Sequence, residues 1–240
     1  MTLKTSLREI LNYMREQQLA FPDYLTAEER NQVGEPDNWS AKDEIIHINV
    51  WANEHLDRLE LLLSGGTPPD SIFGEIEDER NRAIFDEHKD AGWNQALARV
   101  RETYNRLDDY LKDHSEELLL EIPAGEERPV WRMIAGSHIL HPMIHLWGYL
   151  QRHGYNDLLI AIFGENFVAR LLELQDDAGW QGTTYYNLAC ILALSGRKKE
   201  AVTALAKALQ LEPQLVEWSQ KDSDLDILRD DPDFQALYKG

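Results

Sequence analysis

Along most of the chain apolar residues recur at spacings of three and four, the period of helices with one buried face. Leu3, Leu7, Ile10, Leu11 and Met14 form one such stripe, predicting a helix from residue 3 to about 19. The run FPDYLTAEERNQVGEPDN then reads as a connector ending in turn-forming residues. Ser40, with Asp43 three residues on, is a capping-box variant that predicts a sharp helix start. Ile45, Ile48, Trp51, Ala52, Leu56, Leu59 and Leu63 carry that helix's stripe until SGGTPPDS stops it. After a short amphipathic piece at 75–89, Leu97, Val100, Tyr104, Leu107 and Leu111 mark a third long helix from Trp93 to about Lys112. EIPAGEER makes a turn, and Pro129 suits the first position of a fourth helix continuing to about His153. Four long helices with short or moderate links predict an all-α bundle over residues 1–153, and no strand-like alternation competes.

Beyond RHGYND the pattern changes. Residues 180 onward read as two short helices joined at Ser195 and Gly196, rich in alanine at close-packing spacings. Tyr185, Leu188, Ala189, Leu192, Gly196, Ala201, Leu205, Ala208 and Pro213 fall at the signature offsets of a tetratricopeptide repeat, with Leu192 and Leu205 in place of the usual aromatics. One repeat cannot bury its face alone, so residues 157–175 and DLDILRDDPDFQALY are expected to cap it within a small helical domain over 154–240. On a regular helical wheel the fourth long helix presents Ile134, His138, His141 and His145 on one side. Ile139, Met143, Leu146, Trp147 and Leu150 lie on the other. The histidine side is expected to face the bundle, and the other side to pack on the C-terminal helices or on a second subunit.

Charge narrows the choice of partners. With 43 Asp and Glu against 24 Lys and Arg, a net charge of −19 repels phosphate backbones, and no basic stripe interrupts it. Nucleic acid and anionic membrane are therefore not expected as partners. No run approaches the length of a membrane span and the first residues lack the apolar core of a signal peptide, which leads to a cytoplasmic expectation. The single cysteine, Cys190, sits among apolar neighbours in NLACILAL and reads as a buried, inert thiol.

Four of the eight histidines crowd into SHILHPMIHLWGYLQRH, residues 137–153. His141 and His145 are spaced i, i+4, which places both imidazoles on one helical face a turn apart, within reach of one ion. His47, on the flank of its own helix's stripe, is the best third ligand, although taken singly it equally suits a half-buried histidine bonded to a neighbour. Three neutral nitrogens leave a tetrahedral ion one open position. Pro142 directly after His141 removes an amide and disfavours helical geometry at His141, so a kink there would spread the pair or aim it. His138 reads as an extra ligand, a second-layer donor or a spectator. His55, His88, His114 and His153, in charged surroundings, read as surface residues.

NWSAKDEIIHINVWANE resembles the start of the second helix in DinB/YfiT-like proteins, particularly the ClbS/DfsB branch, where Trp-Ser-x-Lys-Asp leads to a histidine and then a tryptophan. ERNRAIFDEHKDAGWNQALARVRETYNRLDDYL is similar to that branch's acidic-Asn-aromatic stretch and third helix. IAGSHILHPMIHL is similar to its fourth, with His141 and His145 at the HxxxH and Ser137-His138 in place of an Asn-Thr pair. The resemblance spans roughly residues 4–152. It implies an up-down-down-up four-helix bundle holding a divalent metal, commonly nickel or zinc, on His47, His141 and His145. It also implies hydrolase or thiol-dependent transferase activity toward small reactive molecules, and leaves the C-terminal repeat as an appended module.

Two function classes are compatible with these features. In the first, a metal-dependent enzyme, an ion at the open position lowers the pKa of a water to about 7 in favourable zinc sites, or takes up a thiol. Asp43, Glu44 and Glu54 are the nearest acidic residues in sequence to serve as proton acceptor, with Asp43 already explained as a cap and surface exposure expected of the other two. In the second, the bundle is a non-catalytic binding or scaffold protein whose repeat serves a protein partner or a homodimer.

Overall fold

The computed structural model describes residues 2–36, 38–68 and 75–239. Among these the chain is all-α, with one isolated bridge between Glu35 and Asn38 and no strand. By contact it divides into Met1–Leu146 and Trp147–Gly240.

The first unit is built from α1 (Leu3–Tyr24), α2 (Ala27–Asn31), α3 (Ala41–Leu63), α4 (Glu75–His88), α5 (Trp93–Asp113), α6 (Glu116–Leu120) and α7 (Val130–Ala135). A π-helical turn, Gly136–Leu140, comes next and leads into α8 (His141–Arg152). α5 packs against both α1 and α3, and the π turn packs against α1 and α3, closing a helical bundle. Its centre is lined by residues of the predicted stripes, among them Leu7, Met14, Ile45, Ile48, Val100 and Leu107, each at most 1% exposed.

Two stretches differ from the expected pattern. α1 runs past residue 19 because Met14, Gln18, Phe21 and Leu25 are all buried and continue the stripe, and it ends two residues after Pro22, which cannot donate to the Gln18 carbonyl. Within the expected connector, Thr26 opens α2 through a reciprocal cap: the Glu29 amide donates to Thr26 Oγ1 at 3.2 Å and the Thr26 amide to Glu29 Oε2 at 2.8 Å. The cap read at Ser40 is present, the Ser40 amide donating to Asp43 Oδ2 at 3.0 Å and its hydroxyl at 2.6 Å. Gly34 lies against this cap, where a Cβ would come within 2.0 Å of Asp43 Oδ2, so the close approach excludes any side chain.

The fourth long helix is not regular. Pro142 has no amide for the His138 carbonyl, its normal partner four residues back, and its ring crowds that same oxygen. The backbone widens upstream, with the His141 amide donating five residues back to Gly136. His141 itself keeps right-handed helical angles, φ −60° and ψ −51°, so the strain expected there is absorbed one turn earlier. The widened turn holds an extra residue, which rotates the helix upstream of it against the helix downstream by about 100°.

The second unit contains α9 (Asn156–Phe163), α10 (Glu165–Leu172), α11 (Ala178–Leu194), α12 (Lys198–Leu211), α13 (Leu215–Ser219), a 3₁₀ turn at Ser223–Leu228 and α14 (Pro232–Ala236). α11 and α12 pack along one another as the expected helix pair. They are joined through Ser195 and through Gly196, whose φ of +77° suits glycine. Ala189, Ala193, Ala201, Ala204 and Ala208 are buried, and the 3₁₀ turn and α10 cover α11.

Candidate metal centre

The first two turns of α3 and of α8 bring three imidazoles together. His47, His141 and His145 each offer a ring nitrogen, and these nitrogens all lie within 4.8 Å of one another. The ring centroids are 5.3 Å apart for His47–His141, 4.5 Å for His47–His145 and 4.6 Å for His141–His145. Nitrogens sharing a zinc-like ion at about 2.0–2.1 Å stand at most about 4 Å apart, so adjustments of about an ångström gather the trio onto one ion.

The environment favours the neutral, ligating form of His47 and His141. Burial, with His145 and His141 close by, pushes His47 far below the ordinary histidine pKa. Burial and the neighbouring His145, His55 and His138 rings act likewise on His141. The Nδ1 atoms of both His47 and His141 are sealed from solvent and have no hydrogen-bond partner. A buried unpaired nitrogen costs about 1–3 kcal/mol, so two of them beside a third imidazole need a compensating ligand, and a divalent ion suits this donor set.

His145 is held differently. Its Nδ1 lies 2.7 Å from Glu44 Oε2, and the Glu44 side chain is only 5% exposed. That bond leaves Nε2 of His145 as the ring's remaining ligand atom. Trp39 walls the same site, tilted over His47 at 4.5 Å and stacked on His145 at 6.2 Å, with its Nε1 donating to the Pro36 carbonyl. Trp51 approaches His47 at 6.3 Å and is itself pinned by its Nε1 bond to Asn81 of α4. A small cleft lined by Trp39, Ile46, His47, Ile84, Phe85 and His88 opens beside His47.

The structure thus brings together all three histidines read as ligands and separates off the fourth. His138 lies within the π turn, buried, with Nδ1 2.7 Å from Ser137 Oγ and Nε2 unpaired. The regular wheel placed it beside His141 and His145; the extra residue of the wide turn removes it from their face. Burial lowers its pKa to about 3, assisted by His55 and Arg106. Of the histidines read as surface residues, His55 and His153 are exposed, whereas His88 and His114 are half-buried, the latter stacked on Tyr110 at 4.2 Å.

The three acidic candidates all have partners. Asp43 caps α3, Glu54 pairs with Arg80, and Glu44 holds His145 instead of facing solvent. Trp39 is the site residue that sequence reasoning missed, and Glu44, named there as a candidate proton acceptor, holds His145 instead. The signal for Glu44 was its i, i+3 spacing to His47, which places a carboxylate on the ligand side of the helix.

A helical bundle with a buried and half-buried histidine trio on two facing helices defines a class of candidate metalloproteins. The DinB superfamily matches residues 10–153, and the chain belongs to that superfamily. No curated protein and no solved structure matches the chain. No helix among the described residues is long and apolar enough to cross a membrane.

Proposed function

We propose that the protein is a metal-dependent enzyme of the ClbS/DfsB type that acts on a small reactive molecule, with a divalent ion, nickel or zinc, held by His47, His141 and His145. The observation that carries this reading is the pair of buried, unpaired Nδ1 atoms on His47 and His141 beside a histidine already oriented by a carboxylate. When bound, the ion supplies a Lewis acid with an open position. The chain's own residues set the rest of the site: Glu44 fixes the His145 ring, and Trp39 covers His47 and stacks on His145.

Between the two reactions the family resemblance suggests, thiol-dependent transfer is favoured over hydrolysis. Hydrolysis calls for a proton acceptor, and Asp43, Glu44 and Glu54 are each committed to another partner. A thiol co-substrate is acidic enough to ionise without a base from the protein once a cation is near. We read the α11–α12 hairpin as a tetratricopeptide-like appendage.

The test is metal content per chain, by elemental analysis of protein purified without a metal-affinity tag, for wild type and His141→Ala. The expected result is near one nickel or zinc per wild-type chain and loss of it in the variant, followed by turnover in a thiol-transfer screen with small electrophiles. Wild-type protein that takes up no metal after incubation with divalent ions overturns the reading.

A further inference from the structure

A chain of hydrogen bonds crosses the interior of the bundle and uses one residue from each of its four long elements. Asn49 of α3 donates through Nδ2 to Gln18 Oε1 of α1 at 2.8 Å. Gln18 Nε2 donates to the Tyr104 hydroxyl of α5 at 2.8 Å, and that hydroxyl donates to the His138 carbonyl in the π turn at 2.9 Å. All four residues are buried, Gln18 and Asn49 completely.

The carbonyl at the end of the chain is the one whose regular helical donor Pro142 cannot supply, since the nitrogen four residues on carries no hydrogen. A buried carbonyl deprived of its donor must find another, and the Tyr104 hydroxyl fills that place. The chain's two ends are informative. One, Asn49, stands two residues after His47 and is anchored on the Ile45 carbonyl; the other stands three residues before His141. The wide turn sets how the first turns of α8 are rotated and hence where His141 and His145 point relative to His47.

We propose that Tyr104 is a positioning residue for the histidine trio: its hydroxyl replaces the amide that Pro142 lacks, keeps the π turn open, and so sets His141 and His145 against His47. The proposal rests on the metal-binding reading above and adds a residue that touches none of the three ligands.

The experiment measures Zn(II) affinity by competition with a chromogenic chelator, and the melting temperature of the metal-free protein, for wild type, Tyr104→Phe and Pro142→Ala. Tyr104→Phe strands the carbonyl, and the expected result is Zn(II) binding weakened at least tenfold together with a lower melting temperature. Pro142→Ala restores an amide that competes with the hydroxyl for the same carbonyl and lets the turn close to regular helix. It is expected to melt no lower than wild type and still to bind Zn(II) at least tenfold more weakly.

A residue that merely stabilises the fold would make affinity follow melting temperature, so this divergence is the decisive readout. Should Tyr104→Phe fail to fold, Pro142→Ala decides alone. Wild-type affinity in either folded variant overturns the proposal and leaves the metal centre standing. A wild-type protein that binds neither Zn(II) nor Ni(II) overturns the metal reading, and the positioning role with it.

Discussion

Each unit of the molecule gathers a cluster of buried and half-buried polar side chains, and the two clusters are finished in opposite ways. In the C-terminal unit Asp222 accepts from the Tyr186 hydroxyl at 2.6 Å and from the Asp224 amide at 3.0 Å, and its own carbonyl accepts from Arg229. Arg229 also donates to the Ser219 carbonyl, and the Ser219 and Tyr238 hydroxyls share a bond. These partners close the 3₁₀ turn onto α11. In the N-terminal unit, three imidazoles meet with buried nitrogens left unpaired. Burial of polar groups alone therefore says little about function; a satisfied cluster is a structural clasp, and an unsatisfied cluster of bases has a place for a ligand.

The contrast has a pH signature in the metal-free protein. His47, His141 and His138 have pKa values lowered in the fold, so below about pH 6.5 the unfolded chain takes up protons that the native bundle refuses. Stability is lost as the pH falls through that window, continuing for His138 to about 3. Asp224 in the other unit has the opposite sign. Burial and the neighbouring Asp222 and Asp226 raise its pKa, so the native state binds its proton first and acid strengthens that clasp. Following the indole signals of the buried Trp131 and Trp180 by NMR from pH 7 to 4 should show Trp131 losing its native shift at a higher pH than Trp180. Loss of both together, or of Trp180 first, breaks the comparison.

A smaller effect tests whether the trio is supported as the geometry indicates. Removing a carboxylate that orients a ligating histidine typically weakens metal binding by about 10–100-fold. Glu44→Gln should fall within that range and Glu44→Ala at its far end, measured as Zn(II) dissociation constants, with helical content unchanged. Affinity equal to wild type in both variants would mean that the bond between Glu44 and His145 is incidental to metal binding.

The sequence disclosed the helices well because burial at period 3.6 is a local signal: Leu7, Ile45 and Val100 all lie where their stripes put them. It disclosed the trio because the family pattern and the i, i+4 spacing agreed. It placed His138 on the face of His141 and His145 because a helical wheel assumes constant pitch, and the widening depends on Tyr104, a residue of a different helix that supplies the missing donor. It misjudged Glu44 because a carboxylate near a helix start is ordinarily solvated, and the partner that draws it inside lies 101 residues away. Long-range satisfaction of single polar atoms is what a pattern of types along one chain does not carry.

The smallest expected effect lies in the closed cluster and serves as the control for the open one. Cys190 is 1% exposed, and burial, followed by the carboxylates of Asp222 and Asp224, pushes its thiol well above the usual range. A thiol so placed is protonated and shielded, hence a poor nucleophile. Native protein at pH 8 should leave Cys190 unmodified by a thiol-specific reagent over hours, and denaturant should release one reactive thiol. Asp222→Asn keeps the shape of the clasp while weakening its bonds, and is expected to cost about 1–2 kcal/mol and to raise the rate of labelling. Its Zn(II) affinity should equal that of wild type, because none of its partners belongs to the trio. A loss of metal in Asp222→Asn would show that the two clusters are energetically one, and the distinction between clasp and ligand site would then have to be abandoned.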